Sequence, residues 1–196
     1  MLYTEQTKKA MRLCYEAHQG VMDKGGVPYV FHPFHLAEQM TTEDETIAAL
    51  LHDVVEDTAM RLEDLASMGF PKTALEALRL LTHDKGEPYL EYVCRIGANP
   101  VAAAVKMADL AHNSDLTRLD AVDDNALRRA KKYRLCLHLL KTRTVTDGLC
   151  CFTIPIDGSD APILLKATQE RLLSYSLNGR PLTRAEFTAA LTRASL

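Results

Sequence analysis

Four polar side chains stand close together in the stretch "ALLHDVVEDT", residues 49–58. They are His52, Asp53, Glu56 and Asp57, and most of their neighbours are apolar. Successive residues of a helix turn by about 100°, so a helix here would place the four on one polar edge beside the core. Acids this close repel one another, and a bound cation is the usual way to make such a cluster tolerable. The stretch therefore predicts a metal-centred site.

Two other stretches offer further ligands for such a metal ion. "PYVFHPF" carries His32 at the start of an expected helix, and "VKMADLAHNSDL" carries Asp109 on another. Two histidines and two carboxylates from three helices would form a mixed nitrogen and oxygen site with open positions, which suits Mn²⁺ or a similar divalent ion. Each piece alone also has a structural interpretation: a helix cap for His32, a surface acid for Asp109, and a solvated helix end for the two last acids.

Helices must position most of these residues. Hydrophobic residues recur with a helical period up to about residue 141, beginning with a helix that Thr4 can cap and that reaches His18. Thr42 and Glu45 form a capping box at the start of the helix that carries the polar cluster. Pro33 suits the first turn of a short helix up to residue 40. The sequence predicts further helices at residues 61–67, 72–82, 88–96, 100–113 and 124–141, which indicates an all-α bundle.

The composition changes at about Val145. "LCCFTIPIDG", "APILLKA" and "RLLSYSLNGRPL" combine β-branched and aromatic residues with Gly, Pro and Asn-Gly, which is typical of short strands and turns. Thr183 and Glu186 then form a second capping box, which opens a final helix to about Arg193. We predict a helical domain over residues 1–144 and a small α+β extension over residues 145–196. This extension could complete a pocket, mediate dimerisation or cover apolar helix surface.

Composition and charge narrow the classes of protein. The chain has 196 residues, of which 47% are hydrophobic, so one sizeable core is expected. Its net charge is -3, so binding to nucleic acid or to an anionic membrane is not expected. The first residues lack the apolar segment of a signal peptide, and nowhere do about 18 apolar residues run together. A cytoplasmic protein is expected. Five cysteines without a Cys-x-x-Cys pair predict reduced, mostly buried thiols.

Three stretches in this order carry a family resemblance: "DKGGVPYVFHP", "ALLHDVVEDT" and "VKMADLAHN". Together they resemble the hydrolase domain of the RelA/SpoT family, and in particular its stand-alone small alarmone hydrolases, which belong to the HD superfamily of metal-dependent phosphohydrolases. The likeness covers about residues 4–141. It implies an all-helical HD-domain fold, a bound Mn²⁺ and removal of the 3′-pyrophosphate from guanosine tetra- or pentaphosphate (ppGpp or pppGpp).

The resemblance also implies roles for individual residues. The metal ligands would be His32, His52, Asp53 and Asp109. The catalytic acidic pair would be Glu56 and Asp57, which are expected to orient or deprotonate the attacking water. Substrate contacts would come from Lys24, Lys85, Asn113 and Tyr133. Lysines suit a polyanionic substrate, but a solvated surface explains Lys85 equally well, and core packing is the stronger interpretation of Tyr133.

Some positions depart from the family or stay outside its motifs. Asp23 in "MDKGG" stands where the family commonly has a second basic residue, and Leu110 and Asp115 stand where its long members are typically basic. These changes make the expected pocket less positive, so the reaction class is better supported than the substrate. His18 and His112 are interpreted as structural histidines.

Three functional hypotheses follow. The first is a Mn²⁺-dependent hydrolase that converts ppGpp or pppGpp to GDP or GTP and pyrophosphate. The second is an HD-type phosphohydrolase that acts on another nucleotide or phosphorylated metabolite. The third is a non-catalytic module that senses a nucleotide. The expected partner is a small-molecule nucleotide substrate, and alarmone synthesis is not expected. The sequence leaves open whether the chain forms a homo-oligomer.

Overall fold

The computed structural model describes residues 1–191. In this part of the chain, eight α-helices precede a small sheet and one follows it. They are α1 (Glu5–Ala17), α2 (Phe31–Glu38), α3 (Glu43–Asp57), α4 (Leu62–Ser67), α5 (Lys72–Leu81), α6 (Tyr89–Ile96), α7 (Pro100–Asn113), α8 (Asp124–Thr142) and α9 (Arg184–Leu191). A short 3₁₀ turn lies at Leu116–Arg118. The predicted, mainly helical fold with a small α+β extension is confirmed. No described helix combines the length and the hydropathy that a membrane span requires.

Local signals at the helix ends explain where the helices begin. The Thr42 side chain accepts a hydrogen bond from the Glu45 amide at 3.2 Å, and the Glu45 carboxylate accepts one from the Thr42 amide at 3.0 Å. This is the predicted capping box, and it starts α3. Asn99 caps α7 through a 2.9 Å hydrogen bond from the Ala102 amide, and Pro100 then occupies its first turn.

The central helix of the bundle is α3. It packs against α1, α2, α5 and α7, and residues 46–54 are all buried as a result. Two of these buried positions carry His52 and Asp53. The packing therefore places ionisable side chains in the interior, where they need partners or a cation.

The strands form one antiparallel sheet in chain order. They are β1 (Thr144–Thr146), β2 (Leu149–Ile154), β3 (Ile163–Ala167), β4 (Leu172–Leu177) and β5 (Arg180–Pro181). Two-residue turns join β1 to β2 and β4 to β5. Both residues of each turn have positive φ, 50° and 76° at Asp147 and Gly148, and 53° and 75° at Asn178 and Gly179. Asp-Gly and Asn-Gly adopt this turn readily, so the predicted turn signals set the hairpins.

The inner face of the sheet packs on α6 and α8. Side chains alternate along β2, with Cys150, Phe152 and Ile154 buried. At the end of α6, a Cβ on Gly97 would stand 2.6 Å from Cζ of Phe152, so this close approach requires glycine. Of the three roles left open for the extension, the packing shows that it covers apolar helix surface. The domain boundary at residue 145 stays a prediction.

The second predicted capping box starts α9. The Thr183 amide donates to the Glu186 carboxylate at 2.7 Å, and the Glu186 amide donates to the Thr183 hydroxyl at 3.2 Å. Phe187 is buried and stacks on Tyr175 of β4. The predicted end of this helix at Arg193 lies outside the described residues.

Candidate active site

Three buried side chains from three helices converge. His32 of α2, His52 of α3 and Asp109 of α7 offer ligand atoms that all lie within 4.8 Å of one another. Asp53 adjoins them, with Oδ1 at 3.1 Å from His52 Nε2 and Oδ2 at 3.6 Å from His32 Nε2. The four predicted metal ligands are thus brought together by the packing of α2, α3 and α7. Whether they bind a metal stays a prediction.

His52 has one ring nitrogen that is engaged and one that is not. Nδ1 lies 2.8 Å from the Ala49 carbonyl oxygen and donates to it, so Nε2 is the ring nitrogen that could bind a metal ion. Nε2 is buried and has no hydrogen-bond partner among the described residues. Nε2 stands 3.1 Å from the Asp53 carboxylate, so a nitrogen and an oxygen that can both bind a cation lie side by side. These donors fit a divalent ion.

His32 is oriented by a residue that the sequence analysis interpreted as structural. Its Nδ1 lies 2.6 Å from Nδ1 of His112, and its Nε2 lies 3.3 Å from Oδ1 of Asp109. Burial and the neighbouring His32 lower the pKa of His112 to about 4. A neutral His112 can accept the N–H of His32, which turns the other nitrogen of His32 toward the acids.

Further side chains hold the two candidate carboxylate ligands. The Tyr29 hydroxyl donates to Asp53 at 2.7 Å. Lys106 donates to Asp109 at 2.7 Å, and the Asn113 amide also donates to Asp109. Burial opposes ionisation of Asp109, but the Lys106 ammonium outweighs it and holds the pKa of this carboxyl well below its usual range. Both carboxylates are therefore oriented by hydrogen bonds, and that of Asp109 is held in its ionised form.

Lys106 itself is a buried cation. Its ammonium lies 5.3 Å from the ring centre of Tyr92 and 5.7 Å from that of Tyr89. Although burial disfavours the charged form, the Asp109 carboxylate keeps the pKa of Lys106 well above its ordinary value. Lys106 is not among the predicted site residues, although its spacing of three positions from Asp109 on one helix is that of a side-chain pair.

The predicted acidic pair lies one turn beyond His52 and Asp53. Glu56 and Asp57 stand at the end of α3 and are more exposed than the candidate ligands. The protein nevertheless displaces part of the water around each carboxyl, which raises the pKa of both above their ordinary values, and the charge of Asp53 adds to the effect. Both carboxyl groups are therefore accessible to a ligand that enters from solvent, and both bind a proton more readily than a free carboxyl group does.

A cavity of about 560 Å³ adjoins the converging side chains. Its lining includes His32, Asp57 and three of the predicted substrate contacts, namely Lys24, Asn113 and Tyr133. The volume falls in the range of roughly 300–1,000 Å³ that is usual for small-molecule sites. Lys85 is not among the lining residues. It is exposed in the loop between α5 and α6, and its contact with substrate stays a prediction.

Asp23, the departure from the family, has a clear structural role. Its carboxylate accepts hydrogen bonds from the amides of Gly25 and Val27 at 2.8 and 3.0 Å, and from the Arg118 guanidinium at 2.8 Å. The Val27 amide is the main reason why the pKa of Asp23 is lowered. Asp23 therefore orders the loop that carries Lys24 and joins it to Arg118.

Two arginines in the cavity lining are not among the predicted site residues. Arg118 and Arg129 both line the cavity, together with Lys24. Arg118 follows the last family-like stretch and Arg129 lies in α8, so neither belongs to a recognised motif. The cavity is thus more basic than the sequence predicts, although Asp23 neutralises part of the charge of Arg118.

Comparison with known proteins agrees with this geometry. No protein-family model matches the chain. It is 28% identical over 163 residues to the bifunctional (p)ppGpp synthase/hydrolase SpoT of Escherichia coli K12, a match that covers 70% of this chain and 23% of that protein. A guanosine-3′,5′-bis(diphosphate) 3′-pyrophosphohydrolase of Vibrio cholerae is 41% identical over 70 residues, which cover 32% of this chain and 10% of that protein. The chain spans less than a quarter of the length of these relatives.

A solved structure shares the fold. It belongs to a metazoan ortholog of SpoT that is described as hydrolysing ppGpp, and the match has a TM-score of 0.60 and 22% sequence identity. It covers 72% of this chain and 88% of that protein's chain. The sequence matches and the shared fold confirm the resemblance of this chain to the hydrolase domain of the RelA/SpoT family.

Proposed function

We propose that the chain is a Mn²⁺-dependent hydrolase that removes the 3′-pyrophosphate from guanosine tetra- or pentaphosphate. The observation that carries the proposal is the convergence of His32, His52 and Asp109, where Nε2 of His52 has no hydrogen-bond partner within residues 1–191. This cluster adjoins a cavity large enough for a nucleotide. The names of the relatives supply the substrate, since both describe enzymes of ppGpp metabolism.

The metal would be held by His32, His52, Asp53 and Asp109. Two imidazole nitrogens and two carboxylates suit Mn²⁺ among the divalent ions, because it accepts both nitrogen and oxygen donors and leaves positions open. When bound, such an ion lowers the pKa of water and polarises a phosphoryl oxygen. Tyr29 keeps Asp53 in place for this role.

Glu56 and Asp57 would orient the attacking water and take its proton. A carboxylate whose pKa is raised toward neutrality is a better general base, and both acids have raised pKa values. The water oxygen bonds to the phosphorus next to the ribose, the bond from this phosphorus to the 3′ oxygen breaks, and a proton goes to that oxygen. The products are GDP or GTP and pyrophosphate.

The remaining cavity residues would bind the nucleotide. Lys24, Arg118 and Arg129 supply positive charge for the phosphates. Asn113 and Tyr133 are the proposed contacts of the nucleoside. Asn113 already donates to Asp109, so it would connect the nucleoside pocket with the metal ligands.

A second candidate keeps the chemistry and changes the substrate. Asp23 pairs with Nη2 of the Arg118 guanidinium at 2.8 Å, which reduces the attraction for a substrate with two pyrophosphate groups. This observation favours a phosphohydrolase for another nucleotide or phosphorylated metabolite. A panel of nucleotides with Mn²⁺ separates the two candidates, because strong preference for the alarmone eliminates the second and preference for another compound eliminates the first.

The main experiment is product analysis. Purified protein is incubated with Mn²⁺ and ppGpp, and GDP and pyrophosphate are measured. We expect release in equal amounts, loss of turnover in Glu56→Gln and full turnover in Glu63→Gln, a matched change at an exposed position of α4. A folded, metal-loaded protein that releases neither product contradicts the proposal, as does a Glu56→Gln variant with undiminished turnover. If the unchanged protein turns over ppGpp and Glu56→Gln does not, the alternative of a non-catalytic sensing module also fails.

A further inference from the structure

His18 has a buried ring nitrogen that no other group in the described part of the chain pairs with by a hydrogen bond. The residue caps the C-terminus of α1 and is only 4% exposed. Its Nε2 makes no hydrogen bond within residues 1–191. Buried polar atoms are nearly always paired in native proteins, so this nitrogen requires an explanation. An imidazole nitrogen in the same state, Nε2 of His52, belongs to the proposed metal site.

The position of His18 links it to the cavity rather than to the apolar core. It lines the cavity together with His32 and Asp57. Its ring packs edge to face on Tyr29 with the ring centres 5.1 Å apart, and Tyr29 binds Asp53. Burial lowers the pKa of His18 despite the opposing charges of Asp53 and Asp57. The ring is therefore neutral, and one of its nitrogens carries a proton that it can donate.

A purely structural role does not account for this nitrogen. The backbone amide of His18 already donates to the Cys14 carbonyl at 3.2 Å, which closes the helix end without the ring. A histidine that capped the helix through its side chain would place a ring N–H on a terminal carbonyl, and Nε2 makes no such bond in the described chain. If the ring served packing alone, phenylalanine would fill the place without hiding a polar atom.

We propose that His18 is a substrate-binding residue, and that its Nε2–H donates a hydrogen bond to a phosphate oxygen of the nucleotide in the cavity. The inference rests on the proposed function, because it takes a phosphorylated nucleotide as the ligand. A hydrogen bond to a charged oxygen is stronger than one between neutral groups. Lys24 lines the same cavity, so the phosphates would meet a charged donor and a neutral one.

The first test uses steady-state kinetics with ppGpp and Mn²⁺. Losing a hydrogen bond to a charged group weakens binding by roughly tenfold or more, so His18→Phe should raise KM by that factor with little change in kcat. His18→Gln, whose amide reaches the place of Nε2, should recover most of the affinity. His138→Phe, on α8 and outside the cavity lining, is the control and should leave KM unchanged.

Thermal stability distinguishes a substrate-binding role of His18 from a packing role. Because His18→Phe removes an unpaired polar atom, its thermal unfolding temperature should equal or exceed that of the unchanged protein. A KM that stays constant in His18→Phe overturns the inference, and so does a fall in kcat alone, which would place the ring on the attacking water. If His18→Phe does not fold, His18→Asn removes the group at Nε2 with a small polar side chain and must show the same rise in KM.

A binding measurement distinguishes failure of this inference from failure of the proposed function. Inorganic phosphate is titrated into the Mn²⁺-loaded protein by calorimetry. If the unchanged protein does not hydrolyse ppGpp, the proposed function fails, but His18 as a phosphate-binding residue is supported when phosphate binds roughly tenfold more weakly to His18→Phe. Equal affinity of the two proteins for phosphate overturns the role of His18 whatever the outcome with ppGpp.

Discussion

The interior around α3 and the inner face of the C-terminal sheet are both buried, but they bury different chemistry. Near α3, the hidden side chains include His32, His52, Asp53 and Asp109. Under the sheet they are apolar, with Phe152, Ile154 and Ile163 among them. Burying ionisable groups costs free energy, whereas burying apolar groups drives folding. The first region therefore has the composition of a functional site and the second that of a stabilising one.

This difference predicts that the two regions fail in different ways when they are altered. Substitutions of the buried histidines and acids near α3 should reduce metal binding or turnover and leave the fold intact. Substitutions under the sheet should destabilise the fold and leave the chemistry of the remaining folded protein intact. A change that did both would weaken the comparison.

The largest effect is expected at Asp57. Asp57→Asn keeps the shape of the side chain but removes a proposed proton acceptor, so kcat should fall about 10²–10⁴-fold. Mn²⁺ affinity and thermal stability should change little, since Asp57 is not a proposed ligand. Steady-state kinetics and calorimetry measure the two quantities. Asp160→Asn, at an exposed position before β3, is the matched control, and equal activity of the two variants would remove Asp57 from the mechanism.

The next effect should come from the other region. Phe152→Ala opens a cavity under the sheet and should lower the free energy of unfolding by about 3–5 kcal/mol. The neighbouring Thr153 points to the exposed face, and Thr153→Ala should change this quantity by less than about 0.5 kcal/mol. Urea unfolding measures both. A loss of Mn²⁺ affinity in folded Phe152→Ala would show that the sheet supports the metal site, against the comparison.

Tyr29→Phe tests whether an outer hydrogen bond supports the metal ligands near α3. It removes the hydroxyl that donates to Asp53 and keeps the ring. Losing such an outer hydrogen bond to a metal ligand typically weakens metal binding about 10–100-fold. Tyr15→Phe, whose side chain is 56% exposed, should bind Mn²⁺ normally. Equal Mn²⁺ affinity in the two variants would mean that Tyr29 does not position a ligand.

The smallest effect compares the two capping boxes. Thr42→Ala removes the cap of the central helix and should lower the free energy of unfolding by about 1 kcal/mol. Thr183→Ala removes the equivalent cap of α9, and of the described residues of this helix only Phe187 is buried. We expect a smaller loss there, because local fraying of α9 leaves the main core intact. An equal or larger loss in Thr183→Ala would show that α9 belongs to the cooperative core.

Local signals explain why much of the fold is predictable. The bounds of α7 follow from Asn99, Pro100 and the end of the apolar period. For the C-terminal segment, the sequence predicts short strands and turns but not which strands pair. The pairing of β2 with β3 depends on side chains that meet across the sheet and on the surface of α6 and α8. Such contacts cannot be predicted from any single stretch of the sequence.

The same distinction applies to the site. His52, Asp53, Glu56 and Asp57 share one helix, so periodicity alone places them together. The Tyr29 hydroxyl that orients Asp53 comes from a distant part of the chain, whereas Lys106 meets Asp109 from three positions away on the same helix. Arg118 meets Asp23 across 95 positions of sequence, and no local pattern indicates that pair. Residues that act on others through tertiary contacts are therefore the ones that a reading of motifs misses.

The central claim is that the buried cluster of histidines and acids exists to hold a divalent ion. Calorimetric titration with Mn²⁺ tests it directly. We predict one ion per chain for the unchanged protein, loss of this binding in His52→Asn and normal binding in His138→Asn. If the unchanged, folded protein binds no Mn²⁺, or if His52→Asn binds it as well as the control does, the claim is wrong.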